Sequence, residues 1–449
     1  MDLSNARRRS FAHPNSHEAE RDVLQPTFKS GPLPLPLPIP RVRNPGSPWN
    51  LFPPRTPPLP PLFYTCIASL HRNEGVVHSI AVSKELVFTG SQSCRIRAWR
   101  KPECIERWCI NAGSGEIQAI LCHSDMLFSS HKDRRIRAWR FSVSYGDIRY
   151  KKMATLPKRS MGFLFKRSSP HQHASHITCM AYHRAKGLLY TGSHDKTVRV
   201  WRLADSTCVD TFLAHEDRVT GIVVNQDDGC VFTCSSDGSV KIWQTVYKEG
   251  SHILTTRLRF QESPVNALAL SSSNDNCLLY SGSSDGAIGF WEKETTSYRF
   301  SHRGFLHGHQ FAVLCLEAIG RLVFSGSEDM TIRVWKREEG SCIHECLAMM
   351  EGHRGPVRCL AACTEMDKVV KGYLVYSASL DQTFKVWRIK VFSDDKVMYL
   401  GNPEDGGGVH DDHNLAIKDR LADHYYEMSP VLSPSWVEKK RRERISSRR

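Results

Sequence analysis

The stretch YTGSHDKTVRVW, residues 190–201, decides the fold. An aromatic and a hydroxyl residue open it, a polar turn carrying Asp195 follows, and alternating apolar positions lead to Trp201. Alternation on both sides of a short polar turn reads as two strands of a hairpin. Six more copies occur: FTGSQSCRIRAW ending at Trp99, FSSHKDRRIRAW at Trp139, FTCSSDGSVKIW at Trp243, YSGSSDGAIGFW at Trp291, FSGSEDMTIRVW at Trp335 and YSASLDQTFKVW at Trp387. Successive tryptophans lie 40, 62, 42, 48, 44 and 52 residues apart, a period near forty with insertions. Such a period governs the reading of everything else.

Upstream of each hairpin stands another apolar pattern: VHSIAV, IQAILC, ITCMAY, VTGIVV, VNALAL, VLCLEA and VRCLAA. A more variable segment precedes it, as in CVDTFLAH and CIHECLAMMEGH. Each unit therefore offers four strands. Seven four-stranded units are expected to close radially as an all-β, seven-bladed propeller, because closure leaves only short protected edges. Residues 62–70, LFYTCIASL, have the position of an outer strand without inner strands before them. They are expected to complete the last blade, whose inner strands end near Ile389, and so join the two ends of the ring.

Four units carry a His four residues before the first apolar strand. With the hairpin letters they make the sets His173, Thr191, Asp195, Trp201; His215, Thr233, Asp237, Trp243; His309, Ser325, Asp329, Trp335; and His353, Ser377, Asp381, Trp387. The carboxylate can accept from the imidazole while the hydroxyl links imidazole to indole N–H, so all four polar groups are satisfied inside a blade. A Ser, His and Asp neighbourhood also suggests nucleophilic catalysis, but a catalytic triad has no reason to recur four times at one spacing. No catalytic residues are assigned. The units ending at Trp99, Trp139 and Trp291 lack the aligned His, and Ser93 replaces the turn Asp in the first; these three are expected to be held less tightly.

The units resemble WD repeats over about residues 63–390, through the turn Asp, the closing Trp and, in four of them, the upstream His. Asp never follows the Trp here. More narrowly, FTGSQSCRIRAW, FSSHKDRRIRAW, the Pro-rich leader and the insertion between the second and third units are similar to the Jingubang-like group of plant WD-repeat proteins. That resemblance implies a regulatory interaction protein and not an enzyme.

The flanks differ in composition. Residues 1–61 form a leader expected to be disordered; its stretch GPLPLPLPIPRVRNPGSPWNLFPPRTPPLPPL, 31–62, reads as extended polyproline-like chain. The propeller is assigned to 62–392, with a basic insertion at 149–169 expected to leave the ring as a loop. Residues 393–449 are expected to be mostly disordered and end in a basic run, where Lys439, Lys440, Arg441, Arg442 and Arg444 form a candidate nuclear-localisation patch. No run of about eighteen apolar residues suggests a membrane span, and the first residues lack the apolar core of a secretory signal. The fifteen Cys are scattered and odd in number, which fits reduced thiols in nucleus and cytoplasm. Cys342, Cys346, Cys359, Cys363 and His353 lack the paired spacing of a zinc site, so no metal or cofactor is expected.

The net charge is +14. The leader to residue 62 holds 8 Lys and Arg against 4 acids and the segment from 391 holds 10 against 11, leaving 43 against 32 on the repeats. A basic propeller favours partners with acidic surfaces or peptides, whereas aromatic platforms alternating with Arg, needed for sequence-specific nucleic-acid reading, are missing. The loops entering each first strand and the turns between second and third strands should share one rim, carrying His78, Gln92, Glu116, Lys132, His176, His194, Arg218, Thr220, Asn266, Phe311, Glu328 and Arg358. Two function classes follow: a non-catalytic protein–protein interaction scaffold of regulatory complexes in a plant cell, or a substrate receptor of a cullin-based ubiquitin ligase. For the receptor, the nearest motif is Asp329, Trp335 and Arg337, with Lys336 where that group has Asp.

Overall fold

The computed structural model describes residues 62–391 apart from short segments at 72–74, 103, 114, 145–146, 159–170, 247–249, 260–261, 273–276, 295–296, 298 and 366–370. The Pro-rich leader, the basic run and much of the 149–169 insertion lie outside the described residues. Twenty-eight strands form seven four-stranded antiparallel sheets. Blade 3 shows the pattern: Ile177–His183 innermost, then Leu188–Ser193 and Thr197–Arg202, with Thr207–Leu213 outermost. Each blade's inner strand packs beside the next, and Val77–Val82 of blade 1 meets Val357–Glu365 of blade 7, which closes the ring.

The chain's two ends join in blade 7. Leu62–His71 pairs antiparallel with Thr383–Val391, from Leu62 opposite Val391 to His71 opposite Thr383. Its own inner strands come from the far end of the sequence, so the last sheet is complete only when the first strand arrives. Both Leu62 and Val391 therefore lie at the end of the blade where first strands turn into second strands, since Val391 also pairs with Lys371 at the start of the second strand.

Every inner strand has a bulge at its second residue, for example between Ile177 and Cys179. A bulge re-aims a side chain, and here that places ties between blades. Thr178 Oγ1 donates to the Val219 carbonyl at 2.6 Å, Thr220 Oγ1 to Val265 at 2.6 Å and Asn266 Nδ2 to Val313 at 3.1 Å. Neighbouring positions serve the other four interfaces: Ser79 Oγ reaches the Ile120 carbonyl, Ser130 Oγ the Ile177 carbonyl, and the thiols of Cys315 and Cys359 the carbonyls of Val357 and Val77. All seven blade interfaces are thus stitched along the channel.

Residues 149–156 correct the loop expected for the insertion. They belong to Asp147–Leu156, the outer strand of blade 2, which pairs with Ile136–Ser144. Ile148 and Leu156 are buried while Arg149, Lys151 and Lys152 face solvent. An outer strand needs one paired backbone edge and little apolar surface, and lysines on its free edge oppose pairing with other chains; a charge-dense strand of this sort has no apolar rhythm to reveal it.

Candidate interaction rim and blade networks

The four expected tetrads assemble. In blade 3, Trp201 Nε1 donates to Thr191 Oγ1 at 3.1 Å, Thr191 Oγ1 meets His173 Nε2 at 2.9 Å, and His173 Nδ1 faces Asp195 Oδ2 at 2.9 Å. Blade 4 repeats this through Trp243, Thr233, His215 and Asp237 at 2.9, 2.8 and 3.0 Å, and blade 6 through Trp335, Ser325, His309 and Asp329 at 2.9, 2.8 and 2.7 Å. Blade 7 departs in one link: His353 Nδ1 meets Thr383 Oγ1 at 2.9 Å and stands 3.4 Å from Asp381 Oδ2. Nδ1–H toward the carboxylate and a lone pair on Nε2 toward the hydroxyl is the tautomer that satisfies the chain of partners.

Burial holds these imidazoles neutral, His353 down to about 4, with the Asp partner opposing the shift. The carboxyls of Asp195 and Asp237 respond oppositely: burial alone would raise them, but the bonds from His173 and His215 hold them well below the usual range. The turn Asp also accepts from the backbone of the loop before the inner strand, as Ala174 N does to Asp195 at 2.8 Å. Position and function of each polar group are thus fixed by the blade, and no Ser or Thr of the tetrads is left as a nucleophile facing a cleft; Thr191, Thr233, Ser325 and Ser377 have no solvent exposure. A separate Asp–His–hydroxyl set, Asp210, His252 and Tyr190, links the outer strand of blade 4 to blade 3 at 2.8 and 3.2 Å and is equally buried on its His and Tyr.

Two of the three incomplete blades find substitutes. In blade 2, His131, at the position where blade 3 has Ser193, turns back so that Nε2 meets Ser129 Oγ at 2.9 Å; that hydroxyl accepts Trp139 Nε1 at 3.2 Å. Asp133, relieved of a His, pairs with Arg137 at 2.7 Å. In blade 1, Trp99 Nε1 bonds Thr89 Oγ1 at 2.9 Å, and Ser93 Oγ accepts from Arg95 N as a turn Asp would. In blade 5, His302 packs edge-on to Trp291, with ring centres 5.6 Å apart. The FSSHKD stretch held the signal for His131: a His in a slot that is Ser in the six other units.

A backbone bond places the rim. In every blade the N–H of a residue in the turn between second and third strands reaches a carbonyl just before the inner strand: Gln92 to Val76, Lys132 to Glu116, His194 to His176, Ser236 to Arg218, Ser284 to Pro264, Glu328 to Ala312 and Leu380 to Pro356. These turns and loops therefore lie on one face, opposite the ends at Leu62 and Val391. The turn residue after Asp takes positive φ, at Arg134, Lys196, Gly238, Gly286, Met330 and Gln382; at Gly286 a Cβ would come within 2.6 Å of the His309 carbonyl, so only glycine fits.

Of the twelve rim residues, Gln92, Lys132, His194, Arg218, Phe311, Glu328 and Arg358 are exposed and His78, Glu116 and His176 half-buried. Thr220 and Asn266 are removed from the free rim, because their polar atoms tie blades together as described above; sequence spacing cannot show that a bulge turns them sideways. Lys132 pairs with Glu116 at 3.1 Å, and Arg218 Nε bonds Ser236 Oγ at 2.8 Å. The rings of His176 and His194 lie 6.1 Å apart, and burial together with Arg218 and His176 lowers the pKa of His194. With Lys196, also exposed, Lys132 and Arg218 bring cations to the rim of blades 2–4, beside the acids Glu116, Glu216 and Asp217. Phe311, 57% exposed, and Leu380, 42% exposed, add apolar contacts that the face does not cover. Leu380 was not among the residues singled out from the sequence.

Among the described residues no disulfide forms, and no group of three or more His, Cys, Asp or Glu is placed to hold a metal ion. His353 is engaged on both ring nitrogens. Among the described residues no helix is long and apolar enough to cross a membrane.

The ring and its networks define a seven-bladed β-propeller built from repeats. Five stretches, 166–202, 206–244, 253–292, 300–336 and 344–388, match the family described as WD domain, G-beta repeat. The matched repeats and the closed seven-bladed ring together support a place in the WD-repeat family; blades 1 and 2, outside the match, have the same four-stranded form. The chain is 34% identical over 50 residues to Pre-mRNA-processing factor 19 of Bos taurus, and equally to that of Mus musculus and Rattus norvegicus. Those 50 residues are 11% of this chain, and the chain spans about a tenth of the length of the curated relatives it matches.

Proposed function

We propose that the protein is a non-catalytic scaffold that gathers regulatory proteins in the nucleus and cytoplasm of a plant cell. The WD-type propeller supports protein partners, and the observation that carries the reading is the rim: seven turns brought to one face, carrying Lys132, Lys196 and Arg218 beside exposed Phe311 and Leu380. Lys132, Lys196 and Arg218 fit an acidic surface or peptide, with exposed apolar groups as anchors. The repeated Ser, His and Asp are engaged inside blades, which supports the absence of catalysis. The likeness to Pre-mRNA-processing factor 19 has about the length of one repeat and so supports the repeat more than a role in RNA processing. The ligase-receptor alternative loses its anchor, since Arg337 is only 8% exposed.

Proximity labelling in plant cells, comparing the full chain with Lys132→Glu, Arg218→Glu, Arg358→Glu, tests the reading. A set of signalling or transcription proteins labelled by the parent and lost with the variant supports it. Identical labelling places the partner surface elsewhere and overturns the rim.

A further inference from the structure

The fifth residue of the seven inner strands runs Ala81, Leu121, Ala181, Val223, Ala269, Glu317, Ala361. Each stands opposite a second-strand aromatic, Glu317 opposite Phe324. One carboxylate thus interrupts a ring of aliphatic side chains. It stays partly exposed to the channel, and among the described residues no hydrogen bond or ion pair is made to it. Burial alone lifts its carboxyl to about 7.

Glu317 lines a cavity of about 520 Å³ in the channel, between the inner strands of blades 2–6 at the end where they turn into second strands. The volume is that of a small-ligand site. Its walls mix polar groups, among them Asn225, Gln226 and Ser272, with aliphatic side chains such as Leu121. On the blade 2 side stands His123, whose buried Nε2 has no hydrogen-bond partner among the described residues, and whose pKa is lowered by burial and by Arg184. An ionised carboxylate only accepts hydrogen bonds. The other acid of the wall, Asp227, is already engaged by Ser272 Oγ at 2.8 Å.

We infer that this cavity is a receptor for an organic cation, an ammonium or guanidinium group, which Glu317 neutralises. The cation's charged group would sit against the Glu317 carboxylate, with the rest of the ligand along the channel. The same chemistry is carried by a free small amine or by a Lys or Arg side chain of a polypeptide. The site is on the face opposite the rim, so it is independent of the scaffold reading.

The test is calorimetric titration of the full chain at pH 7.5 and low salt with two probes: agmatine, which bears a guanidinium and a primary ammonium, and a blocked peptide of residues 436–445, WVEKKRRERI. Glu317→Ala is the comparison; it gives blade 6 the residue that blades 1, 3, 5 and 7 carry at this position, so it should fold, and isosteric Glu317→Gln is the second variant. We expect binding to the parent that falls about tenfold or more in both variants, the scale of a lost charge-assisted contact. Agmatine binding without the peptide assigns a free amine, and tighter peptide binding a polypeptide side chain. Affinity unchanged in the variants, or no binding of either probe at millimolar concentration, overturns the inference.

Discussion

Replacing Thr233 by Val tests whether the tetrads hold the blades. Val keeps the shape and β-branching of Thr and removes only the hydroxyl. In blade 4 that oxygen accepts the Trp243 N–H at 2.9 Å and meets His215 Nε2 at 2.8 Å, with no solvent exposure at Thr233. Two buried polar groups lose their partner together, at about 1–3 kcal/mol each, or about 4 kcal/mol in all. Blade 1 supplies an internal control: Thr89 is 4% exposed, stands opposite Ile80 as Thr233 stands opposite Ile222, and accepts Trp99 Nε1 at 2.9 Å without an aligned His. Thr89→Val should therefore cost about 2 kcal/mol. The gain in apolar character is the same in both and cancels in the difference. Urea unfolding followed by tryptophan fluorescence, with unchanged slope as the condition for comparison, should show Thr233→Val losing about 2 kcal/mol more than Thr89→Val. Losses equal to within about 0.5 kcal/mol, the usual error of additivity, would refute the claim that the imidazole link stabilises the blade.

Acid should loosen the ring in a defined window. His131 and His353 are held at about 4 by burial, so the folded state resists protons that the unfolded chain takes up near 6.5. Their stabilisation is complete above that pH and lost as pH falls toward 4, up to about 3 kcal/mol for each. Thermal midpoints of the parent and His353→Asn at pH 7.5, 6, 5 and 4.5 should converge toward low pH; parallel curves would contradict the assignment. Deleting residues 1–71 removes the strand paired with Thr383–Val391 and should give aggregated or partly unfolded chain by size exclusion and circular dichroism. A sharp monomeric peak with parental melting would show that the ring closes without it.

The fold was legible because the tetrad letters recur at fixed offsets from Trp and impose their own register. Closure by LFYTCIASL was legible for a simpler reason: an outer strand with no blade of its own had one vacancy to fill. What was hidden lay where backbone geometry, not residue type, decides. The bulge that turns Thr220 and Asn266 from the rim toward the next blade leaves no mark in the letters. The outer strand Asp147–Leu156 was hidden because an edge strand needs hydrogen-bonded backbone and not an apolar stripe. His131 was visible as an anomaly, but only its contact with Ser129 reveals that it replaces the missing His of its blade.

In a chain built of repeats, what recurs holds the ring together, so function has to be sought in the departures. Departure alone is not enough. His131 departs, yet both of its ring nitrogens are bonded and its blade regains the network, so it is a repair. Ser93 departs and still caps its turn. Lys132, Lys196 and Arg218 present cations on an exposed face, and Glu317 departs in a ring of aliphatic side chains without a partner among the described residues. A repeat position whose substitute is satisfied within its own blade belongs to the architecture. One whose substitute is left unsatisfied, or is presented to solvent, costs stability or neutrality without a structural return, and it is there that a ligand or partner would supply the missing contact.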